Sequence, residues 1–143
     1  MKPFKEEWID QFYDKVPQDK YTLQIEAGEE HGLCITLFGA KHQTSLDFGV
    51  VCAFTVIDEG MQLNALPDCT YDDSFLQAKD TEFSSVLYLV KNGHFARYVQ
   101  ACMGTELFNF YGLQQYNLVT QNYVVEIVCH DAPEITIDSS CSI

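Results

Sequence analysis

Near the C-terminus the run VEIVCHDAPE sets Cys129, His130 and Asp131 side by side, the three residue types of a thiol-protease relay. Such a relay needs a thiolate, a base within hydrogen-bond reach of it, and a carboxylate that orients the base. Successive residues of a strand point to opposite faces, and YVVEIVC reads as a strand with Tyr123, Val125, Ile127 and Cys129 toward a core. Cys129 is then expected inward and His130 outward, so the two cannot work as nucleophile and base. Pro133 drives Ala132 out of helical space and marks a turn, in which the Asp131 carboxylate can bond its own backbone.

The remaining residues able to do chemistry are dispersed. His31, His42, His94 and His130 show no paired ligand spacing, and no C-x-x-C occurs among Cys34, Cys52, Cys69, Cys102, Cys129 and Cys141. The glycines are scattered, and none is followed by the Lys and Ser or Thr that a phosphate-cradling loop requires. Asp58 and Glu59 could pair as acid and base, but consecutive carboxylates in an acidic stretch are more often simply solvated. These readings predict no catalytic residue, no metal site and no cofactor. Two alternatives stay open: a small cytoplasmic enzyme joining distant residues such as His94, Cys69 and the acidic stretch, and a generic acidic adaptor.

Composition narrows the class of partner. The chain has 143 residues, of which 47% are hydrophobic, enough for a single globular domain over residues 1–143. Eight basic residues face 21 carboxylates, for a formal charge of −13. Nucleic acid and anionic membrane are both bound through Lys and Arg, so neither is an expected partner, whereas a cationic protein is. No signal-like apolar stretch opens the sequence and no run is long enough to span a bilayer, which predicts a cytoplasmic protein with its cysteines as thiols.

The elements that must position these residues follow from periodicity. Phe4, Trp8, Phe12 and Val16 recur every four residues, which predicts an amphipathic helix over Pro3–Val16. YTLQIEA and LCITLF alternate, with Leu33, Ile35 and Leu37 on one face, and GEEHG joins them as a hairpin. TSLDFGVVCAFTV reads as one long strand burying Thr44, Leu46, Phe48, Val50, Cys52, Phe54 and Val56. Residues 57–83 lose periodicity and collect carboxylates, an acidic connection, and residues 138–143 read as a flexible tail. SSVLYLV is apolar on both faces and should be central, followed by a helix from Asn92, as its cap, to Met103, stopped by Gly104. QYNLVT and YVVEIVC flank Gln121-Asn122, the length of a two-residue hairpin turn. The sum is an α+β domain: a mainly antiparallel sheet with an N-terminal helix and one mid-chain helix packed on it.

Two segments carry a resemblance. LDFGVVCAFTVIDEG and HFARYVQACMGTELFNFYGLQQYNLVTQNYVVEIVCHDAPEITI resemble a group of small bacterial immunity proteins of polymorphic toxin systems. The shared shape is a strand closing on V-x-DEG, a helix with F-x-x-Y, then Y-x-L-x-T-x-N-x-V with an acidic residue, closed by P-E-I. The resemblance implies that Asp58, Glu59, Tyr116, Asn117 and Glu126 hold or decorate a sheet, and that function is stoichiometric binding of a cognate toxin domain. Under that reading Asp68, Asp72, Asp73 and Asp80 meet the toxin's basic face, and Tyr71 and Phe75 supply apolar anchors.

Overall fold

A computed structural model of the protein describes residues 6–17, 19–58 and 86–138. Among these, the strands are β1 (Glu7–Ile9), β2 (Thr22–Gly28), β3 (Gly32–Phe38), β4 (Gln43–Gly49), β5 (Ala53–Asp58), β6 (Leu87–Lys91), β7 (Gln114–Val119), β8 (Tyr123–Cys129) and β9 (Glu134–Asp138). The helices are α1 (His94–Met103) and α2 (Thr105–Phe110).

The strands form two antiparallel sheets. One is ordered β1-β6-β7-β8-β5 and the other β2-β3-β4-β9. Their inner faces share a core: Leu33, Ile35, Leu37, Leu46 and Phe48 from the four-stranded sheet meet Leu87, Tyr116, Leu118, Val125, Ile127 and Cys129 from the five-stranded one. Burying these faces against each other is the main source of stability open to two half-apolar sheets. Phe12 and Val16 close one side of this core, with the Phe12 and Tyr116 rings 6.1 Å apart and edge to face.

The expectation of an N-terminal helix fails. Among the described residues both helices lie in the C-terminal half, and residues 7–9 form β1, pairing Trp8 with Val90 on the neighbouring β6. A four-residue repeat is compatible with a helix but is also two strand periods, so Trp8 can share a face with Glu6 in an extended chain. The backbone groups on that flank of β6 need partners, and β1 supplies them. Only one turn forms afterwards, with the Val16 amide donating to the Phe12 carbonyl at 3.1 Å.

The long strand predicted over 44–56 is also broken. Thr44, Leu46 and Phe48 are buried in β4, but Val50 is 76% exposed and the chain resumes as β5 in the other sheet. Gly49 makes the corner at φ 68°, and Gly32 passes so close to the Gly49 carbonyl that a Cβ there would collide with it. Two hairpins stand as expected: β2–β3 pairs Leu23 with Leu37 and Ile25 with Ile35, and Gln121-Asn122 turns β7 into β8, whereas the strands divide into two sheets where one was expected, α2 is added after α1, and the cap of α1 is Gly93 in place of Asn92. β6 lies inside its sheet and leads into α1, whose cap is Gly93 and whose stop is Gly104. Among the described residues no helix is long and apolar enough to cross a membrane.

Candidate functional site

The Cys129, His130 and Asp131 run is resolved first. The Cys129 thiol is buried, donates to the Asp131 backbone carbonyl at 3.2 Å, and is pushed up to about 12 by burial and by the Asp131 charge. A thiol so far from ionising is no nucleophile. His130 is exposed on the other face, and its Nδ1 lies 2.7 Å from Asp131 Oδ1. The Asp131 carboxylate therefore engages the adjacent ring, where the sequence suggested its own backbone.

All six residues expected to bind a partner, Asp68, Tyr71, Asp72, Asp73, Phe75 and Asp80, lie outside the described residues, as do Glu59, Cys69, Cys141 and most of the acidic connection. Asp58 is exposed at the end of β5. Among the described residues no three His, Cys, Asp or Glu side chains converge as metal ligands would.

What the fold does assemble is a polar network on the outer face of the five-stranded sheet. The cross-strand register sets Tyr88, Asn117, Glu126 and Thr55 in one row across β6, β7, β8 and β5. Gln115 stands two residues along β7 on the same face, and Glu6 with Trp8 comes in from the edge. This face is covered: α1 crosses β7 and β8, and Trp8, Tyr88, Val90, Val119 and Val124 form a second apolar cluster there. The Trp8 and Tyr88 rings lie 5.4 Å apart.

Glu6, Gln115 and Asn117 are at most 1% exposed, and Glu126 is 7% exposed, so their polar atoms depend on partners within the protein, which the Asn117 Nδ2 group lacks. Glu6 accepts from the His94 amide at 2.8 Å and from Trp8 Nε1 at 3.0 Å. Gln115 Oε1 accepts from the Ala96 amide at 2.8 Å, and Gln115 Nε2 donates to Asn117 Oδ1 at 2.8 Å and toward Glu126 Oε2 at 3.4 Å. Thr55 Oγ1 donates to Glu126 Oε1 at 3.1 Å. Glu6, just before β1, and Gln115 of β7 thus serve the orphan amides at the start of α1, which has no side-chain cap of its own. Gly93 allows this approach, since a Cβ at that position would run into the Gln115 amide oxygen.

The network contains two carboxyl groups in a space poor in water. Burial, and secondarily the Glu6 charge, push the Glu126 carboxyl up to about 7, against the opposing pull of the bonds from Thr55 and Gln115. This places its protonation change near the neutral range instead of the acidic range of an ordinary carboxylate. Its chemistry is proton uptake inside the fold. Sequence reasoning missed the network because the alternation in YVVEIVC assigns Glu126 to a solvent face. The available signal was that Val124 and Val128, its neighbours on that face, are apolar too.

The other distinctive surface is on the helices. Tyr98 on α1 and Leu107 and Phe110 on α2 are 66%, 50% and 80% exposed, and Tyr111 follows at 51%. Phe110 and Tyr111 pack edge to face at 5.3 Å, and Glu106 stands in the first turn of the same helix. The His130 ring lies just beyond Gly112, and its Nδ1, on the other side of the ring, engages Asp131. Exposed aromatics rimmed by carboxylates are what a protein-binding surface presents before it is covered. Comparison of the chain with protein-family models, with curated proteins and with solved structures returned no match.

Proposed function

We propose that this chain is a non-enzymatic inhibitor of the immunity type, which binds and neutralises a cationic toxin domain in the cytoplasm through an acidic, aromatic-tipped surface. The observation that carries the reading is the exposure of Tyr98, Leu107, Phe110 and Tyr111 on a chain of formal charge −13. Charge of one sign accelerates encounter with a partner of the other, while buried aromatic anchors supply most of the affinity once contact is made. The acidic connection carrying Asp68, Asp72, Asp73 and Asp80 adds to that field wherever it lies.

The test is a search of the neighbouring genes for one that encodes a basic domain, followed by co-expression, co-purification and binding kinetics. A Phe110→Ala, Tyr111→Ala double variant is expected to keep its melting temperature and to lose affinity by about thirtyfold or more, the loss falling on the off-rate. Replacing Asp68, Asp72, Asp73 and Asp80 with Asn should slow association by about tenfold at low salt, with the difference shrinking as salt is added. Unchanged binding by both variants would remove this surface from consideration. Failure of any cationic domain to co-purify would remove the function.

A further inference from the structure

The hydrogen bonds beneath α1 run in one direction. The Ala96 amide can only donate, so it holds the Gln115 side chain with Oε1 toward the helix, 2.8 Å away, and Nε2 toward the sheet. Gln115 Nε2 in turn donates to Asn117 Oδ1 at 2.8 Å, which turns Asn117 Nδ2 the other way. Asn117 is fully buried and its Nδ2 has no acceptor, a costly state for an amide donor.

Directly across from Asn117 in the strand register stands Glu126. Its Oε1 accepts from Thr55 Oγ1 at 3.1 Å, while its Oε2 lies 3.4 Å from Gln115 Nε2, longer than a well-formed bond. An ionised carboxylate only accepts, and on both oxygens, whereas a protonated one gives up acceptor capacity to its own O–H. Asn117 Nδ2 and Gln115 Nε2, the two donors that a newly formed charge would draw in, therefore stand beside it already.

We infer that a proton on Glu126 latches the N-terminus of α1 to the five-stranded sheet, and that loss of this proton to solvent opens the latch. On ionisation Asn117 and Gln115 turn their NH₂ groups to the carboxylate, and Gln115 Oε1 leaves the Ala96 amide. Glu6 responds in the same sense: it holds the His94 amide at 2.8 Å, a second negative charge in this buried space repels it, and it precedes a three-residue edge strand that yields more easily than an inner one. Both bonds at the start of α1 thus weaken together, on a helix with no acidic residue in its first turn to replace them. Among the described residues the other charged and titratable side chains on the elements around Glu126 are Tyr88 of β6, His94 and Arg97 of α1, and Asp58 at the end of β5. Burial pushes the Tyr88 hydroxyl up to about 12, so it stays neutral throughout. With the latch closed the Glu126 carboxyl titrates at about 7, and once hydrated it returns toward its ordinary 4.5. The closed state then keeps a proton that the open state has released, and opening becomes easier as pH rises past 7. Since α1 runs through Gly104 into α2, opening also alters how Tyr98 and Phe110 are held. An effect on partner binding rests on reading those side chains as the binding surface, and the latch itself does not.

The experiment is a pH series of amide hydrogen exchange on the uniformly ¹⁵N-labelled full chain with no partner present, so its failure leaves the inhibitor reading standing. The His94 and Ala96 amides should exchange faster than the core amide of Ile35, which opens only with the whole fold. Their opening, corrected for the intrinsic pH dependence of exchange, should grow about tenfold from pH 6 to pH 8. Glu126→Gln should abolish that growth. Thr55→Val is close in shape and removes a bond that favours the ionised carboxyl, so it should move the rise to higher pH, and it tests the latch even if Glu126→Gln fails to fold. Exchange of His94 and Ala96 only at the rate of Ile35, no growth between pH 6 and pH 8, equal growth in Glu126→Gln, or an unmoved rise in Thr55→Val would each overturn the proposal.

Discussion

The outer faces of the two sheets carry rows of polar residues at corresponding places, and the rows have opposite fates. On the four-stranded sheet Gln24, Thr36, Ser45 and Thr136 pair across β2, β3, β4 and β9, and all four are partly or fully exposed. On the five-stranded sheet Tyr88, Asn117 and Glu126 pair across β6, β7 and β8 and are buried, with Thr55 half-buried at the end of the row. The first row satisfies its hydrogen bonds with water, so any polar residue serves. The second must satisfy them within the protein, so each member is constrained by the others. The same residue chemistry is therefore interchangeable in one sheet and specific in the other.

The inner faces, by contrast, should behave alike, and this gives the largest expected effect. Ile35 and Ile127 are both fully buried in the shared core, one from each sheet. Ile35→Ala and Ile127→Ala should each cost about 3 kcal/mol in urea unfolding. A loss below about 1 kcal/mol for either would mean that the two sheets do not share one core.

Next in size is a pH dependence confined to the five-stranded sheet. Burial raises the Glu126 carboxyl from its ordinary 4.5 to about 7 in the folded chain. Between those values the folded chain holds a proton that the unfolded chain has released, so stability falls as pH rises. The contribution is fully present below about pH 4.5 and is lost as pH passes through 7, a change on the order of 3 kcal/mol. Glu126→Gln keeps a neutral side chain at the site and should flatten this part of the profile, leaving the variant more stable than the native chain at pH 8. Parallel profiles for the two proteins would show that Glu126 does not titrate in this window.

The smallest effect belongs to the wet row. Gln24→Thr, on the exposed edge strand β2, should shift stability by no more than about 0.5 kcal/mol at any pH.

The same contrast decides what could be read from the sequence. A sheet wet on one side writes its burial as alternation, so the β2–β3 hairpin and its core residues Leu33, Ile35 and Leu37 were legible. A sheet buried on both sides writes a nearly continuous apolar run, in which Glu126 and Asn117 pass for surface residues. The helix expected over Pro3–Val16 was lost to an ambiguity of period, because its fourfold spacing also suits a strand, and only the open flank of β6 decides between them. The break at Gly49 was missed because alternation continues through a corner. The polar network could not be foreseen as a unit, since Glu6 and Glu126 meet only through the order in which strands join. The residues proposed to meet a partner were suggested by charge and resemblance, while the exposure of Phe110 and Tyr111 is visible only in the structure.

The bond from the His94 amide to the Glu6 carboxylate spans 88 residues of chain, and it has a consequence for how the molecule comes into being. A ribosome releases β2, β3 and β4 in succession, and these neighbours can pair as soon as they emerge. β1 must wait for β6 before it has anything to pair with, and β5 must wait for β8. For most of synthesis, then, the nascent chain carries unpaired strand edges and an unclosed acidic side chain near its beginning. Closing such long loops is slow, since their entropy is spent before any contact rewards it. The β2–β3–β4 meander should therefore form early, while the five-stranded sheet waits until the last third of the chain is free and the four-stranded sheet is completed only when β9 joins β4.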